Sequence, residues 1–342
     1  SVAQRGDTSP VSLRSGGGTW NCARNPEQGS AVGSGVGLRP ANLSAGAGTR
    51  RVDYGEVETS TPMKIRLGHS PDSDDAFMFW GLAKGPVESV YEFEHILRDI
   101  QTLNDWAMEG RLESTAISVH AFAYVADKYA LLRHGGSFGD KYGPMIVAAE
   151  PMTVEQVRDL VIAVPGKLTS AFLELNLFFE DQFGKGVRPK FEVVPFDEII
   201  PAVQEGRYKA GLIIHEGQLT YEREGMHLVA DFGVWWNAKY GLPLPLGVNV
   251  VRKDLGPEVV ADVSRCMRES IQASLANRAE ALEYALQFAR GMDTPTSDQF
   301  VGMYVNERTL DMGEEGVKAI RLLLQLGAEA GLVPPVQVDV VD

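Results

Sequence analysis

Hydrophobic and polar positions along residues 63–342 follow periods that predict strands and helices in turn. The stretch KIRLGHS predicts a first strand, and DDAFMFWGLAKG predicts a helix that ends at Gly85. VYEFEHIL alternates like a second strand. TLNDWAMEG predicts a short amphipathic helix with Thr102 as its N-cap and Gly110 as its stop. TAISVHAF then predicts a buried strand that enters a loop or a helix.

The second part of the chain continues the alternation. TVEQVRDL, GKLTSAFLELNLFFEDQF and DEIIPAVQEG predict helices, whereas VIAVP, KFEVVPF and KAGLIIHE predict strands. Strands that alternate with helices of this length predict an α/β fold with mainly parallel sheets. After GLPLPLGVNVVRKDL, the pattern predicts helices from about Pro257 to Gly331.

One internal similarity predicts two related lobes. Met108–Ser118 and Gln204–Ile214 share the order helix, Glu-Gly-Arg, short spacer and apolar strand. We therefore predict that lobe one comprises residues 63–147 and 247–342, and that lobe two comprises residues 148–246. Both repeated strands would end where open α/β sheets bind their ligands.

Composition excludes several classes of partner. The 342 residues carry a formal charge of −14, which argues against nucleic acid and anionic membranes because both need a basic surface. No run approaches the roughly 20 apolar residues of a membrane helix. Cys22 and Cys266 lie far apart, so neither a disulfide framework nor a zinc site is indicated.

Residues 1–62 differ from the rest of the chain. They hold 11 glycines and show neither the strand nor the helix period. This composition predicts a disordered or non-native extension, with Met63 as the working start. No apolar core of a secretory signal is visible, and the sequence predicts a cytoplasmic protein.

His215 follows an apolar strand directly and is the first candidate for chemistry. A neutral, hydrogen-bonded core histidine and a reactive histidine at the rim of a cleft are both open at this point. A metal site is not favoured, because HEGQL lacks the histidine pair of a zinc helix. Glu216 is predicted to leave the strand on the opposite face and to position the loop.

Two further stretches fit a small ligand. Thr169 and Ser170 begin a helix, where backbone N–H groups and hydroxyls suit a carboxylate or phosphate. Simple N-capping explains one of these hydroxyls and leaves the other spare. The acidic loop after the first strand, with Ser70 and Asp75, would face the same crevice, although a solvated turn is the alternative. The glycines in GGSFGDKYGP allow close backbone approach to a ligand or a flexible hairpin loop.

Taken together, seven stretches resemble one enzyme family, the 1,4-dihydroxy-6-naphthoate synthases of the futalosine route to menaquinone. The resemblance covers nearly all of residues 63–332. The stretches are SPDSDDAFMFW, QTLNDWAMEGRL, GGSFGDKYGPMIVA, VPGKLTSAF, AGLIIHEGQLTY, DFGVWWNAKYGLPLPLG and YVNERTLDMGEEG.

The resemblance implies a two-lobed fold like that of type II periplasmic binding proteins, with the substrate between the lobes. It implies conversion of cyclic dehypoxanthinyl futalosine to 1,4-dihydroxy-6-naphthoate without a metal or redox cofactor. The proton-accepting histidine of the family falls on His215. The expected substrate contacts are Ser70, Asp75, Ala116, Ile117, Ser118, Thr169, Ser170 and Ala171.

The first loop departs from the family pattern. Better-known members read Ser-Pro-Cys-Pro-Asn-Asp-Thr-Phe, whereas this chain has Asp74 in place of the Asn and Ala76 in place of the Thr. Leu168 also replaces a histidine. An added carboxylate would repel an acidic substrate. Two other kinds of protein with this fold are alternatives. One is a solute-binding protein of a transporter, which would need export, and the other is chorismate dehydratase, which the LIIHE stretch argues against.

Overall fold

The structure is a computed structural model that describes residues 62–289 and 292–342. Apart from Pro62, the predicted extension lies outside the described residues. No helix in the described ranges is long and apolar enough to cross a membrane.

The described strands form two sheets. In the first sheet the order is β12-β4-β11-β3-β1-β2, with β5 also pairing with β11, and in the second it is β10-β6-β9-β7-β8. The strands are β1 (Lys64–His69), β2 (Glu92–Leu97), β3 (Ser114–Ser118), β4 (Tyr129–Leu132), β5 (Ser137–Gly139), β6 (Met145–Ala148), β7 (Val161–Val164), β8 (Lys190–Val193), β9 (Ala210–Ile213), β10 (His227–Asp231), β11 (Leu244–Arg252) and β12 (Val340–Val341).

Helices connect the strands in both sheets, and most of the C-terminal region is helical, as predicted. The α-helices are α1 (Ser73–Met78), α2 (Trp80–Ala83), α3 (Ile100–Glu109), α4 (Val119–Val125), α5 (Val154–Val157), α6 (Ser170–Phe183), α7 (Ile199–Gln204), α8 (Gly217–Thr220), α9 (Phe232–Tyr240), α10 (Pro257–Ala276), α11 (Arg278–Ala285), α12 (Thr294–Tyr304), α13 (Glu307–Leu310) and α14 (Gly313–Glu329). Short 3₁₀ helices lie at Phe196–Glu198, Lys253–Leu255 and Leu286–Phe288.

The two sheets are mixed, and the prediction of mainly parallel sheets was wrong. Parallel pairs join β1 to β2 and β3, and β7 to β8 and β9. The strand β11, however, runs antiparallel to β3, β4 and β5. The chain returns from the second sheet at this point, and β11 lies between β4 and β3.

The division into two lobes stays a prediction, and the sheets refine where it would fall. The strand β6 pairs with β9 and β10, so it belongs to the second sheet. The predicted boundary between residues 147 and 148 therefore falls inside a strand, and sheet membership moves it to before Met145. One hydrophobic cluster joins the sheets, since it contains Ile117 and Val250 of the first and Ile146 and Leu212 of the second.

The helix predicted after the first strand is broken in two at Phe79. A serine of α10 explains the break. The Ser270 hydroxyl donates to the Met78 carbonyl at 2.9 Å and accepts from the Leu82 N–H at 3.2 Å, so it satisfies backbone groups that the break releases. A Cβ on Gly81 would lie 2.6 Å from the Cα of Ser270, which shows how closely the two helices approach.

Candidate active site

A cleft with about 840 Å³ of empty space, its open mouth included, is lined by strand residues of the first sheet, by residues adjacent to strands of the second sheet, and by residues of the C-terminal helices. All the predicted site residues line it: Ser70, Asp75, Ala116, Ile117, Ser118, Thr169, Ser170, Ala171 and His215. Their convergence follows from topology, because β1, β3 and β9 end at this side of their sheets.

The end of β3 is held by a residue that the sequence pattern did not single out. Asn104 on α3 is fully buried. Its amide nitrogen donates to the Ser118 hydroxyl at 3.0 Å, and its amide oxygen accepts from the Ser118 N–H at 2.8 Å. Because the Ser118 oxygen accepts from Asn104, its own hydrogen can be donated to a ligand. The sequence did offer one indication of this role, because Asn104 is a polar residue on an otherwise apolar face of α3.

The N-terminus of α6 forms another part of the cleft. Thr169 is its N-cap, and the threonine hydroxyl accepts from the Phe172 N–H at 3.2 Å and donates to the Gly166 carbonyl at 2.9 Å. The N–H groups of Ser170 and Ala171 have no partner within the helix, since the first turn of a helix provides none. The positive end of the helix dipole therefore faces the cleft.

The second hydroxyl at this helix start is not spare. The Ser170 hydroxyl donates to the Leu246 carbonyl and accepts from the His120 N–H at 3.3 Å. This contact ties α6 to the strand β11. The sequence predicts that one of the two hydroxyls is spare for a ligand, but both hydroxyls have protein partners. The backbone N–H groups are therefore the donors available to a ligand at this helix start.

His215 lies in a turn between β9 and α8. Its φ of 54° is in the left-handed region, which is costly for a residue with a Cβ and is often found at functional sites. The imidazole packs edge-on against Phe196 with ring centroids 5.1 Å apart. Nδ1 lies 3.1 Å from Oδ2 of Asp72 in the acidic loop. The side chain is 19% exposed, so the ring is held but remains open to the cleft.

The sequence predicts that Glu216 leaves the strand on the face opposite to His215, but β9 ends at Ile213 and Glu216 lies outside it. It is the N-cap residue of α8 and lines a separate surface cavity beside Phe196. Its separation from His215 thus arises from the turn and not from strand alternation.

The acidic loop between β1 and α1 carries unusual protonation equilibria. Burial and the charge of Asp72 raise the pKa of Asp75 to about 7. Burial, followed by the charges of Asp75 and Asp72, raises the pKa of Asp74 well above its usual range. The Ser70 N–H donates to Oδ2 of Asp75 at 2.7 Å, which folds the loop back on itself. The loop therefore carries fewer negative charges at neutral pH than its three carboxyls suggest.

His215 is the only histidine among the described residues that lines the cleft. His69, His95, His120 and His134 are all largely buried, and burial lowers the pKa of each. These four rings are buried core histidines, the alternative that the sequence allowed for His215.

Asn249 and Tyr304 also line the cleft, and the sequence analysis did not single them out. Asn249 on β11 is buried, and its amide nitrogen donates to the Gly135 carbonyl at 2.8 Å. Gly135 has a φ of 79°, and a Cβ there would lie 2.3 Å from that nitrogen, so the glycine-rich loop packs closely on Asn249. The Tyr304 hydroxyl donates to Oε1 of Gln218 at 2.9 Å and joins α12 to α8 across the cleft.

Comparisons with known proteins place this cleft in context. A family model described as "Menaquinone biosynthesis" matches residues 65–329. The chain belongs to this family. The 1,4-dihydroxy-6-naphthoate synthase of Thermus thermophilus is 40% identical over 271 residues, which are 79% of this chain and 96% of that protein. The enzyme of the same name from Streptomyces coelicolor is 36% identical over 275 residues, which are 80% and 96% of the two chains.

Solved structures show the fold of this chain. The crystal structure of protein AF1704 from Archaeoglobus fulgidus has a TM-score of 0.73 and 43% identity, covering 79% of this chain and 98% of that one. Three binding proteins share the fold at 13–14% identity and TM-scores of 0.56–0.62: a ligand-binding component of an import system from Staphylococcus aureus, an alkanesulfonate-binding protein from Xanthomonas axonopodis and a periplasmic aliphatic sulphonate binding protein from Escherichia coli.

These comparisons confirm the predicted family and the α/β fold of the periplasmic-binding-protein type. Both curated relatives carry the name of the predicted enzyme, which supports a synthase over a transporter component or chorismate dehydratase.

Proposed function

We propose that this protein is a lyase that converts cyclic dehypoxanthinyl futalosine to 1,4-dihydroxy-6-naphthoate in menaquinone biosynthesis. The observation that carries the proposal is the convergence of His215, the end of β3 and the start of α6 on one cleft, in a chain whose relatives are named for this product.

His215 acts as the base in this proposal. Its neutral ring removes a proton from the substrate, and elimination of the sugar-derived part then aromatises the naphthoate ring. The N–H groups of Ser170 and Ala171 bind the substrate carboxylate, with Ser118 as a neighbouring donor. Two hydrogen bonds between Asn104 and Ser118 fix the position of Ser118, so the substrate proton is presented to the histidine in one orientation.

The direct test is incubation with cyclic dehypoxanthinyl futalosine, followed by chromatography for the naphthoate. His215→Asn should keep the fold and the KM but lower kcat by about 10²–10⁴-fold, the usual effect of removing a general base. Substrate binding without turnover in the parent would instead favour a solute-binding protein. Turnover of chorismate would favour chorismate dehydratase.

Proton abstraction followed by elimination requires no net oxidation or reduction, so the proposed reaction needs no redox cofactor. We propose that it also proceeds without a metal. Dialysis against EDTA should leave kcat unchanged, and a loss that added divalent metal restores would contradict this part. We also propose that the reaction takes place in the cytoplasm, which cell fractionation would test.

A further inference from the structure

We propose that Asp72 is the positioning residue for His215, and that the two form an Asp–His dyad in which Asp72 fixes the imidazole tautomer so that Nε2 is the base. This inference rests on the proposed function, because it assigns a partner to the proposed base.

The contact between the two side chains is specific. Oδ2 of Asp72 lies 3.1 Å from Nδ1 of His215, and the Asp72 side chain is only 3% exposed. Phe196 also contacts the imidazole edge-on, with the ring centroids 5.1 Å apart. A carboxylate and an aromatic ring thus both restrict rotation of the His215 side chain.

The placement of Asp72 in its own helix supports the same conclusion. Asp72 occupies the N-cap position of α1, where an aspartate usually accepts a hydrogen bond from the first turn. Its side chain makes no such capping bond here. The carboxylate instead contacts a histidine that lies 143 positions further along the chain.

The chemistry of the pair follows from its hydrogen-bonding capacity. A carboxylate without its proton can only accept, so a hydrogen bond between the two groups would require the hydrogen on Nδ1 of His215. In a neutral imidazole the lone pair then belongs to Nε2. When Nε2 takes the substrate proton, the ring becomes a cation beside the Asp72 carboxylate, which stabilises that charge while the substrate keeps the electron pair of the broken C–H bond.

The parent protein offers a test that needs no mutation. Nitrogen-15 chemical shifts of labelled enzyme, with His215 assigned by comparison with His215→Asn, should show a hydrogen on Nδ1 and an unprotonated Nε2 at a pH where the ring is neutral. The opposite tautomer would overturn the proposal whether or not any variant of Asp72 folds.

Asp72→Asn provides the kinetic test. An asparagine can turn its NH₂ group toward Nδ1 and favour the wrong tautomer, so kcat should fall by at least about tenfold, and by no more than the loss in His215→Asn. The KM should change by less than the kcat, and the nitrogen-15 pattern of His215 should invert. Asp254→Asn is the matched control, because Asp254 is exposed and pairs with Arg252 away from the cleft.

The outcomes separate this inference from the proposed function. If His215→Asn keeps the parent kcat, the proposed base is wrong. If His215→Asn loses turnover while Asp72→Asn keeps both the parent kcat and the parent tautomer, only the dyad is wrong. A fall in thermal stability without a change in kcat or tautomer would assign Asp72 a purely structural role and would also refute the dyad.

Discussion

Acid should destabilise the protein through the buried pair His69 and His95. Nδ1 of His69 lies 3.0 Å from the Ser70 carbonyl oxygen, and Nε2 lies 3.0 Å from Nδ1 of His95. The carbonyl can only accept, so Nδ1 of His69 carries a hydrogen. Its Nε2 must then accept from His95 when both rings are neutral. A proton on Nε2 of His69 would break this arrangement.

The pKa values give the size of the effect. Burial, with a contribution from His95, lowers the pKa of His69 from 6.5 to about 3. Burial lowers the pKa of His95 from 6.5 to about 4. Below pH 6.5 the unfolded chain therefore binds protons that the folded chain does not, and stability present above this pH is lost as the pH falls. At pH 5 each histidine contributes a loss of about 2 kcal/mol relative to pH 8.

The measurement is urea unfolding of the parent and of His95→Asn at several pH values between 8 and 5. The asparagine amide can still donate to Nε2 of His69, but it does not titrate. The variant should be less stable at pH 8, because ring contacts with His69 and Phe79 are lost. Its further loss between pH 8 and pH 5 should be smaller than that of the parent by about 2 kcal/mol.

Other titrating groups are common to both chains, so their contributions cancel in the difference between the two pH dependences, apart from the part of the His69 shift that comes from His95. Gln325→Asn, an exposed substitution without a titrating group, should leave the pH dependence unchanged. Equal losses in the parent and in His95→Asn would show that His95 is already accessible to protons in the folded state, and the argument from the buried pair would fail.

Three further predictions concern the cleft and the N-terminal segment. Asp74→Asn should raise the melting temperature at pH 8 more than at pH 5. The pKa of Asp74 is raised in the folded protein, so ionisation of this carboxyl destabilises the fold more as the pH rises. An equal change in melting temperature at the two pH values would contradict this. Asn104→Ala should raise the KM more than it lowers kcat, because Ser118 loses its two hydrogen bonds with Asn104. The weaker substrate binding should correspond to about 1–3 kcal/mol. An unchanged KM would show that Ser118 is not part of the site. A chain that begins at Met63 should fold and keep the parent kcat/KM, and aggregation or lost activity would show that residues 1–62 are needed.

Sequence patterns predicted positions that line the cleft, because strand ends and helix starts are local features. Ser118 ends a predicted strand, Thr169 begins a predicted helix, and His215 follows a predicted strand. The topology of an α/β fold then brings such positions together without any knowledge of individual contacts. The errors at this level were small: the N-cap of α3 is Asp99 instead of Thr102, and β9 ends at Ile213.

Contacts between distant parts of the chain could not be predicted in the same way. Gln218 and Tyr304 are 86 positions apart, and neither lies in a motif that indicates the other. The break at Phe79 likewise depends on Ser270, whose hydroxyl replaces backbone bonds that the helical pattern alone would have assigned within one helix. Periodicity shows which face of an element is buried, but not which side chain of another element will meet it.

The acidic loop shows how such contacts change a conclusion about function. From the sequence, an added carboxylate at Asp74 argues for repulsion of an acidic substrate. In the structure, burial and the neighbouring carboxylates raise the pKa of Asp74 well above its usual range, and burial and Asp72 raise that of Asp75 to about 7. Asp72 contacts His215, which balances its charge once the histidine has taken a proton. Close packing of the carboxyls therefore limits the negative charge that the loop presents, and the departure from the family pattern is compatible with an anionic substrate in this cleft.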